Sequence, residues 1–218
     1  GVTVRLKRLS SNKILISGKR VYIYDITTRQ IEQIGGNEKH IWRYAPIIIG
    51  VKETKIYLAD WRYIWEYDLE TKKINTIYQG KQVINDACID SNGKLWIASP
   101  DGVISYDIAT QKTDILSTEL FHEATSVIAD NSHRVWIGTR RNLYLYSTEE
   151  DKIIMLDDMD GVLPNEYLSS SHLLLHNGDI VLGGINGMTY LNANIRFAPE
   201  DECRIKLLDV LLNGRTVA

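Results

Sequence analysis

The chain has 218 residues, 44% hydrophobic and 24% charged, with a formal net charge of -3; it is long enough to bury a core in one or two domains. Lys and Arg never cluster beyond pairs, which argues against the basic face of a nucleic-acid binder. No run nears 18 apolar residues and the start, GVTVRLKRLS, is no signal peptide, so the expectation is a soluble chain, with any signal peptide or membrane span lying outside it.

The first repeat opens almost at once. Val2 to Leu9 reads as a strand A, Ile14 to Ser17 as B, Val21 to Asp25 as C and Gln30 to Ile34 as D. Its central phrase, KILISGKRVYIY from Lys13, returns as KIYLADWRYIWEY from Lys55, KLWIASPDGVISY from Lys94, RVWIGTRRNLYLY from Arg134 and DIVLGGINGMTYL from Asp179. These copies start 42, 39, 40 and 45 residues apart, a spacing that marks a repeat architecture. Each pairs two short apolar runs across a turn, the mark of a β-hairpin, with a further apolar stretch on either side. Four antiparallel strands per repeat make the blade of a β-propeller. The predicted fold is all-β, with five four-stranded antiparallel blades at about 1–36, 37–80, 81–118, 119–157 and 158–197.

In repeat two, the lead-in His40 to Tyr44 precedes strand A at Ile47 to Val51, and Trp61-Arg62-Tyr63 occupies a turn that small residues normally fill. Repeat three is the most regular: Asp90-Ser91-Asn92-Gly93 and Pro100-Asp101-Gly102 are tight turns. Asp25, Asp68 and Asp107 recur at the C to D turns, where an Asp side chain accepts from backbone N–H groups further on, so they are assigned to turns. Trp96 and Trp136 share a register position with Leu15, Tyr57 and Val181 and are assigned to blade-on-blade packing. The longest connection, LDDMDGVLPNEYL from Leu156, leads into blade five. Residues 198–218 read as a linker followed by either an outer strand of blade five or the first strand of a following domain, over Ile205 to Leu212. Cys88 and Cys203 match no metal spacing; both read as plain thiols, with a single bridge between them as the alternative. No motif calls for a metal or cofactor.

KLWIASPDGVISYD and RVWIGTRRNLYLY resemble the two-component regulator propeller repeat, and DGVLPNEYLSSSHLLLHNGDIVLGGINGMTYLNANIRFAPED is similar to the last blade of that family. RIKLLDVLLNGRTV is similar to the opening strand of the immunoglobulin-like domain that follows it. The resemblance implies the periplasmic sensor region of a bacterial hybrid two-component system. There the propeller is joined by a companion propeller, the immunoglobulin-like domain, a membrane span, and a histidine kinase and receiver outside this chain. It also implies glycan breakdown products as ligands and a homodimeric receptor, with no contact to nucleic acid by this segment and none to the membrane except through the absent span. Such propellers have seven blades, so five repeats are either a closed ring or a fragment. Asn142 and Tyr63 stand where the family has a turn glycine, and repeats one and two keep little of the Trp-Ile-Gly phrase.

Connectivity selects a candidate site. In an antiparallel blade the D to A links and the B to C turns emerge on one face, and the unusual residues fall there: Trp42, Arg43 and Tyr44; Trp61, Arg62 and Tyr63; His122; Arg140 and Arg141; Asn165, Glu166 and Tyr167. Aromatic plates beside Arg, Asn and carboxylates suit an oligosaccharide, whose CH faces pack on rings while polar groups fix its hydroxyls, with Arg able to grip a uronate. A loop staple is the plainer role for Trp42, and a solvated turn for Arg140 and Arg141. Two further functions stay open. One is a protein-interaction platform. The other is a propeller glycosidase or lyase using Asp86, Glu123 and Glu166, which needs carboxyl groups about 5–5.5 or 6.5–9.5 Å apart.

Overall fold

A computed structural model describes residues 4–35, 42–117, 120–162, 164–196, 211–212 and 215–216. Five antiparallel sheets follow one another along the chain. Blade one comprises β1 (Arg5–Arg8), β2 (Lys13–Ser17), β3 (Val21–Asp25) and β4 (Ile31–Gln33). Blade two comprises β5 (Ile47–Lys52), β6 (Lys55–Asp60), β7 (Tyr63–Asp68) and β8 (Ile74–Gln79), and blade three β9 (Asp86–Ile89), β10 (Lys94–Ser99), β11 (Gly102–Asp107) and β12 (Thr113–Ser117). Blade four comprises β13 (Ala124–Ala129), β14 (Arg134–Thr139), β15 (Leu143–Ser147) and β16 (Lys152–Leu156), and blade five β17 (Tyr167–Leu174), β18 (Ile180–Gly184) and β19 (Gly187–Leu191). The A strands β1, β5, β9, β13 and β17 touch in that order. The molecule is a five-bladed β-propeller.

Among the described residues strand A of blade one runs over Arg5–Arg8, inside the expected Val2 to Leu9, and blade five shows three strands, β17 to β19. Residues 211–212 and 215–216 form a separate hairpin, β20 (Leu211–Leu212) with β21 (Arg215–Thr216), that does not pair with β19. The rest of the predicted strand at Ile205 to Leu212 lies outside the described residues, as does Cys203. Cys88 is a buried free thiol, its pKa pushed up by burial.

The core lies in the seams between blades, and strand periodicity distributes the side chains. Ile56 and Leu58 of β6 pack with Leu15 and Val21 of blade one, while Tyr57 and Ala59 pack with Leu95 and Ile97 of blade three. Alternate residues thus bury on opposite neighbours. A strand buried on both faces reads as a continuous apolar run. Trp96 and Trp136 are core, buried in the seams that follow their own blades. Each indole N–H donates to an aspartate six residues earlier, Trp96 to Asp90 at 2.9 Å and Trp136 to Asp130 at 3.1 Å, which satisfies the buried donor. Val181, at the same register in blade five, is only half-buried. On that sheet face Leu173, Met188 and Tyr190 are 58%, 80% and 59% exposed, so among the described residues no sixth blade covers it.

The turn aspartates behave as the sequence suggests. Asp25 accepts from the Thr27 and Thr28 amides, Asp68 from Glu70 and Thr71, and Asp107 from Thr110. The backbone bonds from Thr28, Thr71 and Thr110 hold the three carboxyls below the usual aspartate value. A carboxyl depressed in the folded state contributes stability above its unfolded pKa and loses it as pH falls through the folded value. Urea midpoints are therefore expected to decline from about pH 4 downward, and replacing the three residues with Asn should flatten that decline. An unchanged acid limb in the triple variant would contradict this origin.

Candidate functional site

A cavity of about 400 Å³ opens on the face that carries the D to A links and B to C turns. Its lining comes from every blade: Arg5 of β1, Tyr44 and Trp61 of blade two, Asn85 and Pro100 of blade three, Glu123 and Arg140 around blade four, and Glu166 and Tyr167 entering blade five. Asp60 ends β6 where the other blades carry Gly18, Ser99, Thr139 or Gly184, and it is buried. Its carboxylate accepts from the amides of Arg43 and Tyr44, fixing the link that presents Tyr44. Burial raises the Asp60 pKa against the pull of those amides. Tyr44 is 60% exposed at the cavity, and the Arg43 guanidinium, 5.7 Å from its ring centre, stands farther off than from Trp61, which leaves Tyr44 as the more open plate.

Trp61 and Arg62 form a two-residue turn between the paired Asp60 and Tyr63. Trp61 has φ of +55°, a region that costs a bulky L-residue energy and clusters at functional sites. The guanidinium of Arg62 sits 4.1 Å from the Trp61 ring centre and that of Arg43 sits 4.5 Å from it, so cations already cover part of its π surface. Arg140 lies 3.2 Å from Glu123 and 3.9 Å from Glu166, tying together the links on either side of blade four. Deeper, Arg5 donates Nη1 to the Ala45 carbonyl at 2.8 Å while its buried Nε has no hydrogen-bond partner. Burial lowers its pKa, against the favourable charges of Asp86 and Asp60.

Of the twelve residues selected from sequence, five line the cavity: Tyr44, Trp61, Arg140, Glu166 and Tyr167. Arg43 reaches it through the Trp61 and Tyr44 rings, 4.5 and 5.7 Å from their centres. Trp42 turns inward, buried in the seam between blades one and two, edge-on to Trp65 with centroids 4.9 Å apart; it staples the link. Tyr63 stacks between Trp61 and Trp65. Asn165 is buried and caps the last hairpin, accepting from the Asn186 amide at 3.0 Å and donating to the Gly187 carbonyl at 3.4 Å. His122 and Arg141 are exposed and stand off the lining. Arg5 and Asp60 are absent from the sequence selection. The break in repeat pattern at Asp60 was a visible signal; Arg5 sits in an A strand and carried none.

The axis beneath the cavity is closed by polar contacts. Asp86 is 0% exposed and accepts from the Val127 amide at 3.1 Å, His172 Nε2 at 2.8 Å and the Ser170 hydroxyl at 3.4 Å. Blade five reaches it through a bulge. Between the pairs Tyr167–Gly184 and His172–Leu182, β17 inserts Leu168 to Ser171 opposite Gly183 alone, with Ser170 at φ +54°, and this swings Ser170 and His172 toward the axis. Sealed in this way, Asp86 offers substrate no face. Lys7, exposed on β1, donates to the Ile49 carbonyl at 2.9 Å, and the loss of solvation beside the A strands lowers its pKa. Among the described residues no three His, Cys, Asp or Glu side chains gather as a metal site, and no helix is long and apolar enough to cross a membrane.

No family model matches the chain, and no curated protein matches it. Solved structures do. The whole chain superposes on 32% of the extracellular domain of a protein described as the hybrid two-component system BT3049 of B. thetaiotaomicron, with a TM-score of 0.73 and 16% identity. For the extracellular domain of BT4673 of the same organism, 88% of this chain covers 27% of that one, with a TM-score of 0.64 and 15% identity. A computationally designed protein, Ika8, is matched over 88% of this chain and 58% of its own, at 0.61 and 16%. The chain thus spans about a third of the first of these domains. A designed protein shares the fold too, so the likeness establishes the propeller, and function rests on the site.

Proposed function

We propose that this chain is the ligand-sensing part of the extracytoplasmic region of a two-component receptor, and that the cavity binds the end of an oligosaccharide. The observation that carries this reading is the convergence on one cavity of an exposed aromatic plate, Tyr44, with Arg140, Glu166, Glu123 and Asn85 around it. A sugar needs one ring to stack on and several planar polar groups for its hydroxyls. Arg140 already faces two carboxylates, and Asp60 adds a third in the wall, so a neutral sugar suits the site better than a uronate. The likeness to two-component ectodomains supports the sensing role, with a membrane span and kinase in the rest of the protein.

The exposed face of blade five favours a second role beside this one. Leu173, Met188 and Tyr190 form an apolar patch of the kind that marks an interaction surface, here for a companion domain or a second protomer. Ligand binding shifts such an assembly only by preferring one arrangement.

Calorimetric titration against neutral and acidic oligosaccharides tests the main proposal. Saturable binding is expected, weakened about tenfold or more in Tyr44→Ala through loss of roughly 1.5 kcal/mol of stacking, and weakened less in Trp61→Ala because its ring is partly covered by Arg43 and Arg62. Binding that survives in Tyr44→Ala, or a preference for uronates, would overturn the assignment of the site.

A further inference from the structure

A second cavity, of about 320 Å³, lies in the seam between blades two and three. Its walls are Tyr78, Ile84, Ile97 and Ile104, and at its open rim stand Ile115, which is 64% exposed, the polar Gln79, Gln82 and Thr113, and the charged Lys81 and Asp101. Ile84 also faces the mouth cavity, so the two spaces share a wall.

The next seam explains why this space exists. Blades two and three are linked as blades three and four are: the Ile84 amide donates to the Trp61 carbonyl, and the Glu123 amide to the Pro100 carbonyl. Counting two residues back, Gln82 stands in the first link where Phe121 stands in the second. The strands match as well, Ile97 pairing with Ile104 as Ile137 pairs with Tyr144. In the seam of blades three and four, Phe121 and Tyr144 are buried edge to face with centroids 5.1 Å apart. In the seam of blades two and three an amide and an isoleucine stand at those two places; Tyr78 packs on Tyr106 with ring centres 5.3 Å apart, and a cavity remains beside it. Protein interiors are otherwise close-packed, and a volume above about 300 Å³ lies in the range of ligand pockets.

We propose that this seam is a second binding site, for a planar aromatic ring carrying a polar substituent, of the phenol class. The apolar walls take the ring as the neighbouring seam takes Phe121, and Gln82, Gln79 and Thr113 meet the substituent at the rim. The site is independent of the oligosaccharide proposed for the mouth.

Methyl NMR of the isoleucines, with phenol titrated as the probe, tests it. Saturable shifts are expected at Ile97, Ile104 and Ile84, with Ile137 of the filled seam unmoved, and cyclohexanol, which is not planar, should produce markedly smaller shifts. Gln82→Phe restores the missing ring. It should abolish the phenol shifts and raise Tm by about 2–4 °C, as cavity filling does in a chain of this size. Absence of saturable shifts in the unsubstituted protein, shifts confined to Ile84, or an equal response to cyclohexanol would overturn the proposal, and none of these readings depends on the variant folding.

Discussion

Asp86→Ala is expected to destabilise the propeller by about 3–5 kcal/mol, the usual consequence of removing one partner from a buried charged hydrogen-bond set. The residue is wholly buried in blade three and takes donors from two other blades: the Val127 amide of blade four, and His172 with Ser170 of blade five. Alanine leaves a buried amide without an acceptor and an imidazole facing an apolar wall, each unsatisfied group costing about 1–3 kcal/mol. It also removes the carboxylate that favours the charged forms of Arg5 and Lys7 at the axis. In a domain of this size the loss corresponds to a Tm lower by about 6–20 °C. Asp86→Asn keeps one acceptor oxygen and should cost about half as much. His172→Ala combined with Asp86→Ala should cost less than the sum of the two, since both remove one interaction. Urea unfolding of the four proteins checks the cycle. An Asp86→Ala variant within about 0.5 kcal/mol of the unsubstituted protein, the range of neutral surface changes, would show that the axis does not depend on this carboxylate.

That axis also shows where sequence reasoning reaches and where it stops. The five repeats were legible because a blade buries both faces, so B and C strands such as LWIAS and VWIGT are unbroken apolar runs punctuated by turn residues. The face that bears the cavity was legible too, because antiparallel connectivity alone decides which loops share an end. Tyr44, Trp61, Arg140, Glu166 and Tyr167 meet for that reason. The direction in which each of those side chains points was not. Trp42 and Tyr44 are two residues apart in an irregular link, where no period of two holds, and Asp60 takes the amides of Arg43 and Tyr44 in a way that aims Tyr44 outward and Trp42 into the seam. Asn165 reads as a ligand for hydroxyls and is occupied by the backbone of the next hairpin. The bulge in β17 was hidden as well. Its residues, Leu168 to Ser171, resemble an ordinary strand, and only the register against Gly183 shows that they are looped toward the axis.

Arg134 fastens the segment that follows β19. It opens β14 at an A to B turn, on the face opposite the cavity, and its guanidinium makes three contacts: Nε to Asp130 at 2.6 Å, Nη1 to the Ile195 carbonyl and Nη2 to the Ala193 carbonyl, each at 2.9 Å. The chain beyond β19 is therefore fastened to blade four as well as to blade five, where the Ala193 amide donates to Asp179 at 2.7 Å. A planar fork reaches all three acceptors at once, which a lysine ammonium on its flexible stem does not. Arg134→Met is expected to cost about 3 kcal/mol, toward the lower end for a buried pair because Asp130 keeps the Ser132 and Arg134 amides and the Trp136 indole. Hydrogen exchange at Ala193 and Ile195 should accelerate at least tenfold, while oligosaccharide affinity at the mouth stays within about twofold, since no contact of Arg134 reaches the cavity. Arg134→Lys should lie between the two. Under the sensing role proposed above, the same change in a receptor would leave ligand binding intact and weaken output, because a segment released from blade four no longer follows its movement. Exchange at Ala193 and Ile195 as slow in Arg134→Met as in the unsubstituted protein would mean that blade five alone holds the segment after β19.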